Sequence, residues 1–193
     1  MQKQILYISA TLALLGVSSA QFRAGKCEEI QLQDKFDATR YTGVWFEIVR
    51  DPIASRFEKF ECQEANYQLY SDGVLSVHNS QFNTDIGQVE SKFANGTCNG
   101  AHCSVRFFDN PPYVPAGDYR VVDTDYESYS LVYSCLDIPD QGKLEYAWIL
   151  SRTPELADSL FQHASDVLKK KVKDYDQSKF HHTKQGKDCT YLQ

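Results

Sequence analysis

The sequence has no Cys-x-x-Cys pair, which removes the zinc ribbon and the thioredoxin-type redox site from consideration. It has no Gly-x-Ser-x-Gly elbow, so no serine nucleophile of the hydrolase kind is encoded. Basic residues are the minority, 20 against 26 acidic ones for a net charge of −6, and they form no stripe. A nucleic-acid partner is therefore not expected. The one basic run, Lys169 to Lys171 with Lys173, falls where a helix is expected to end and complements its dipole. Past the first 20 residues no apolar run is long enough for a membrane helix, and no anchor tail is expected at the C-terminus. Internal repeats and low-complexity tracts are also missing.

What is present begins with a leader. Lys3 gives a positive start, Ile5 to Val17 is mostly apolar, and Ser18-Ser19-Ala20 offers small residues before a cut. Residues 1–20 thus read as a secretory signal peptide, with the mature domain at 21–193 and a secreted destination. Six cysteines in a secreted chain suggest three disulfides, out of fifteen possible pairings. Cys98 and Cys103 bracket Asn99-Gly100-Ala101-His102, a hairpin tip, and make the favoured local bridge. Asn95-Gly96-Thr97 is a glycosylation sequon, expected in the same turn.

From Arg40 to Ser151 the chain alternates short apolar runs with turn residues. Candidate strands are Val44–Arg50, Cys62–Tyr70, Val74–Phe82, Ile86–Ala94, Cys103–Asp109, Asp118–Asp123, Tyr129–Cys135 and Leu144–Ser151. Eight strands on short turns predict an all-β domain, an eight-stranded antiparallel up-and-down barrel or a sandwich. In the last strand Leu144, Tyr146, Trp148 and Leu150 share a face and are expected to line the interior. In the strand before it, Tyr129, Leu131 and Tyr133 alternate with Ser130, Val132 and Ser134. The period then becomes helical: Thr153 as cap, Pro154 in the first turn, and Leu156, Leu160, Ala164, Val167, Leu168 and Val172 on one face predict an outer helix. A last short strand is expected within Ser178–Thr183.

Three pieces stand in order along this pattern: Gly43-Val44-Trp45, Thr124-Asp125-Tyr126 and Ser151-Arg152. The glycine permits close approach where a strand begins. The tryptophan can fill a barrel floor, and Arg152 can lie across its indole as a cation–π lid. Together the pieces resemble the signature regions of the lipocalins. Thr124–Cys135, Ala147–Arg152 and Cys62–Tyr67 resemble in particular the apolipoprotein D and arthropod pigment-carrier branches of that family. The resemblance implies a closed calyx and bridges Cys27–Cys135 and Cys62–Cys189, with Cys98–Cys103 as an extra pair. It places ligand contacts at Tyr67, Asn79 and Trp148. Phe107, Leu131 and Tyr146 complete the expected ligand-lining set, although such aromatics can equally be plain core.

The resulting expectation is a carrier of one small hydrophobic molecule, such as a lipid, retinoid, sterol or fatty acid, with no required cofactor. A dedicated carrier for a bilin or a carotenoid is a second reading. A protein-interaction or inhibitory module with a filled barrel is a third. Enzymatic activity is not expected: a lipocalin isomerase uses an unpaired cavity cysteine, and all six cysteines here can be paired, which leaves none. No metal site is expected, since His181 and His182 are neighbours on a strand and point apart. The apolar tip Pro111 to Pro115 is a candidate for homo-oligomer or membrane contact beside the barrel mouth.

Overall fold

The computed structural model describes residues 23–51 and 59–191. The expected leader at 1–20 lies outside the described residues. A one-turn helix α1 (Ala38–Tyr41) precedes eight long strands: β1 (Gly43–Arg50), β2 (Phe60–Leu69), β3 (Val74–Asn83), β4 (Gln88–Asn99), β5 (His102–Phe107), β6 (Gly117–Thr124), β7 (Tyr129–Ile138) and β8 (Gly142–Ser151). Helix α2 (Asp158–Lys171) and a two-residue strand β9 (His181–His182) follow. Each strand pairs antiparallel with the next, β8 returns to β1, and β1 also pairs with β2. The result is a closed antiparallel barrel with one helix outside it. Closure leaves no open edge to template association. Among the described residues no helix is long and apolar enough to cross a membrane.

The barrel wall separates two cores. Inside lie Trp45, Tyr67, Leu75, Val77, Ala94, Val105, Val121, Val132 and Leu150. Outside, under α2, lie Val49, Val122, Tyr129, Leu131, Tyr133, Ala147, Ile149, Ala164 and Leu168. Strands sandwiched between an apolar interior and a helix are apolar on both faces. Hydrophobicity alone therefore does not say which face points in. β8 obeys the expectation, since Trp148 and Leu150 face the interior. β7 overturns it for Leu131, which is fully buried in the outer cluster beneath α2, while Val132 takes the inward place.

Three further expectations are corrected. The helix begins at Asp158, one turn later than the cap signal suggested. Thr153 instead hydrogen-bonds the Glu155 carbonyl, and Ala157 occupies the cap position without a side-chain bond. Asn95 is not in a turn but within β4, which runs on to Asn99. The hairpin tip is shorter than the sequence suggests, only Gly100 and Ala101 between β4 and β5.

All three disulfides join the pairs Cys27–Cys135, Cys62–Cys189 and Cys98–Cys103. Cys98 and Cys103 are directly opposed across β4 and β5. The two long bridges tie the chain ends to the wall. Near the C-terminus, β1 and β2 pair only from Gly43↔Tyr67 to Phe46↔Glu64. Beyond that the tail enters the seam: β9 pairs with Val49 and Arg50, the Lys184 carbonyl accepts from Cys62 N, and Gln185 Nε2 donates to the carbonyls of both Glu47 and Gln63. At the other terminus Arg23 exchanges two backbone hydrogen bonds with Lys143. Gly142 is required there, because a Cβ would sit 2.2 Å from the Arg23 carbonyl oxygen. The Arg23 guanidinium bridges buried Asp51 and Glu145 at 2.9 and 3.1 Å. Paired in this way, the two carboxylates avoid the full desolvation penalty of lone buried charges.

Candidate functional site

The floor is built from the three signature pieces. Trp45 is fully buried, and its indole N–H donates to the Tyr41 carbonyl at 2.9 Å. Arg152 lies over the indole at 3.7 Å and donates to the carbonyls of Val44, Tyr126 and Arg40 at 2.9, 2.9 and 3.0 Å. Gly43 adopts φ +91°, and a Cβ there would already be 3.4 Å from the guanidinium. Thr124 and Asp125 fold the adjacent turn: Thr124 Oγ1 donates to the Tyr129 carbonyl and accepts from Tyr126 N, while Asp125 Oδ1 accepts from the N–H groups of Glu127, Ser128 and Tyr129. Burial opposes the charge on Asp125, but these backbone donors outweigh it and hold the carboxyl below its usual range. Tyr126, at φ +70°, accepts the Asp37 N–H on its hydroxyl and carries Arg40 over its ring.

Above the floor stands a chain of phenols. The Tyr41 hydroxyl meets those of Tyr119 and Ser130 at 2.9 and 2.8 Å, and Tyr119 meets Tyr67 at 3.1 Å. Burial pushes the Tyr67 hydroxyl up to about 12, and those of Tyr41 and Tyr119 also move up. All three are neutral hydrogen-bonding groups at physiological pH. The Tyr67 hydroxyl is thus engaged within the protein, and its ring is the part turned to the interior.

The expected ligand residues fall as follows. Tyr67 belongs to the interior core, and Phe107 and Trp148 pack against it from half-buried positions. Tyr146 shares the Trp148 face, with the two rings stacked 5.9 Å apart. Asn79 is paired with inward Ala65 and so faces the interior too. Leu131 does not join them, because it lies beneath α2.

The interior also holds polar groups that the sequence reading missed. Arg50 is opposite Trp148 and only 2% exposed, and its guanidinium pairs with Glu47 at 3.2 Å. Burial raises the Glu47 carboxyl, partly countered by Arg50 and by the Thr183 hydroxyl, which donates to it at 2.5 Å. Simple alternation would put Trp45, Glu47 and Val49 on one face. A bulge between Glu47 and Val49 turns Val49 out to the helix and Arg50 in. A second irregularity, at Cys62 with φ +55°, precedes Gln63, which shares its face with Ala65 and Tyr67. Two amide atoms in this interior are buried without a hydrogen-bond partner among the described residues: Gln63 Nε2, a donor, and Asn79 Oδ1, an acceptor. No group of three or more metal-ligating side chains occurs among the described residues.

The comparisons agree with this geometry. The lipocalin-like domain family matches residues 36–185. Apolipoprotein D of Macaca fascicularis is 36% identical over 168 residues, covering 85% of this chain and 86% of that protein. The Lazarillo protein of Schistocerca americana is 31% identical over 176 residues, covering 87% and 79%. Among solved structures, insecticyanin from Manduca sexta superposes with a TM-score of 0.74 at 25% identity, covering 86% of this chain and 90% of that one. With its calyx, its arginine-capped floor and these matches, the chain belongs to the lipocalin family.

Proposed function

We propose that this lipocalin is a secreted, non-catalytic carrier of one small, largely apolar molecule that presents a polar head. The observation that carries the reading is the pair of unsatisfied amide atoms in the calyx, Gln63 Nε2 and Asn79 Oδ1. A buried polar atom without a partner costs about 1–3 kcal/mol. A ligand group that both accepts and donates relieves both atoms; a hydroxyl, a carboxylic acid or a lactam has this character. The rings of Trp148, Tyr146, Phe107 and Tyr67 supply apolar surface for the rest of the molecule. With all six cysteines in disulfides, no thiol nucleophile stands beside it.

The test is a competition between a long-chain alcohol and the alkane of the same length, followed by tryptophan emission. The alcohol should win, and Asn79→Leu should reduce its advantage roughly tenfold, the equivalent of one lost hydrogen bond of about 1.4 kcal/mol. An unchanged preference refutes the role of the amides. Silence toward alcohols, retinol, biliverdin and fatty acids alike favours a filled barrel and an interaction module. A visible absorbance band in protein from its native source favours a dedicated bilin or carotenoid carrier.

A further inference from the structure

The outer surface of the barrel carries an unexplained aromatic row. On β3 and β4, His78 and Phe93 are paired, with their rings 4.3 Å apart and nearly parallel. Phe108, just past β5, donates its N–H to the Phe93 carbonyl at 3.0 Å. Phe93 and Phe108 remain 49% and 66% exposed. Large rings clustered on a solvated sheet face mark a surface that something covers.

The neighbouring row points to what covers it. In β4, Ala94 is fully buried and a Cβ on Gly96 would meet Leu75 and Val105, so both point inward. The two-residue period then sets Phe93, Asn95 and Thr97 together on the outer face. Asn95 and Thr97 are the first and last residues of the sequon Asn95-Gly96-Thr97, and both are exposed. Asn95 sits between Ser76 and Arg106, one step along the sheet from the aromatic row. A shallow depression of about 460 Å³ opens beside it, bounded by Asn95, Arg106, Phe107, Phe108, Asn110 and Pro112. Same-face neighbours on a strand are about 7 Å apart, which is the reach of an asparagine side chain and its first sugar. One face of N-acetylglucosamine is a sheet of C–H bonds, which suits the electron-rich face of a ring.

We infer that Asn95 carries an N-linked glycan whose first sugars pack on Phe93 and Phe108, so that the glycan is part of the outer sheet surface. Asn95 Nδ2 bonds to C1 of the first sugar of a lipid-linked oligosaccharyl diphosphate. The C1–O bond breaks, the lipid diphosphate leaves, and the amide gives up one proton. The inference rests on secretion of the chain and is independent of what the calyx holds.

The experiment uses the full chain secreted from insect cells under its own leader. Intact mass before and after peptide-N-glycosidase treatment reads occupancy, with Thr97→Ala as the unglycosylated reference. Trimming to a single N-acetylglucosamine should leave a melting temperature about 2–4 °C above that of Thr97→Ala, the shift expected for one modest packing contact in a domain of this size. In Phe93→Ser and in Phe108→Ser the same comparison should give a smaller difference. The acetyl methyl of that sugar should show nuclear Overhauser contacts to the Phe93 or Phe108 ring protons. An unoccupied Asn95 overturns the inference. So does a shift of the same size in both serine backgrounds, or an acetyl methyl with no ring contact.

Discussion

Replacing Arg152 with alanine is the most demanding perturbation of the floor. The side chain does two separable things: it stacks on the Trp45 indole at 3.7 Å, and it satisfies three backbone carbonyls at 2.9–3.0 Å. A partly desolvated cation–π contact contributes about 0.5–2 kcal/mol. Hydrogen bonds from a charged donor contribute about 1.5–3 kcal/mol each when fully sheltered. The guanidinium is only part-buried and the bond to the Arg40 carbonyl is exposed, so the bonds count at the low end and do not add fully. Arg152→Ala should therefore cost about 3–5 kcal/mol, more than the cation–π contact alone. Arg152→Lys restores a cation over the indole but not the planar fork, and should recover less than half of that loss. Urea unfolding monitored by tryptophan emission measures both. A loss below about 1 kcal/mol for alanine, or full rescue by lysine, would refute the three-carbonyl account. Ligand affinity of the folded mutant should be unchanged, because Arg152 lies below the floor.

Other outcomes follow from the same geometry. Trp148→Ala should abolish most of the tryptophan quenching by retinol, since Trp45 is sealed in the floor, and should weaken binding; a titration of the mutant decides it. Leu131→Ala should cost about 2–5 kcal/mol by opening a cavity under α2 while leaving ligand affinity intact, and a large affinity loss would put Leu131 back in the calyx. Breaking Cys62–Cys189, which closes a separation of 127 residues, should cost about 2–5 kcal/mol, whereas breaking Cys98–Cys103, separated by 5, should cost clearly less in matched denaturant series. Tyr67 titrates near 12 in the fold against 10 in the unfolded chain, so its contribution to stability is complete below pH 10 and drains away as pH rises through 12. Tyr67→Phe should make that alkaline limb shallower by the share of one proton, the raised hydroxyls of Tyr41 and Tyr119 keeping the rest, in a pH series of thermal midpoints, and an unchanged limb would place the loss elsewhere.

The strands were legible because their signals are local, whereas their closure into a barrel rested on the resemblance. Turn residues such as Ser71-Asp72-Gly73 mark strand ends, and all eight expected strands overlap the observed ones. Likewise the inward face of β8 followed from strict alternation. The misreadings arose where alternation breaks or loses its meaning. Bulges in β1 and β6 shift side chains between faces, which hid Arg50 from a pattern-based reading. Thr153 and Pro154 carry genuine cap chemistry, yet the chain spends it on a turn before the helix starts.

The sequence by itself determined the all-β strand pattern and the floor and, through resemblance to relatives of the same architecture, the closed barrel and the disulfide partners. These depend on residue identity at fixed spacing: a glycine that tolerates φ +91°, an indole two residues on, and an arginine long enough to cross it. Tertiary structure alone decided which apolar face of β7 lies within the barrel, because both faces are buried and only the position of α2 tells them apart. It alone brought Gln63 and Asn79, 16 residues apart in the chain, to the inner face of two paired strands and left their amides unmatched. An unsatisfied atom is defined by what surrounds it, and those surroundings exist only once the barrel has closed.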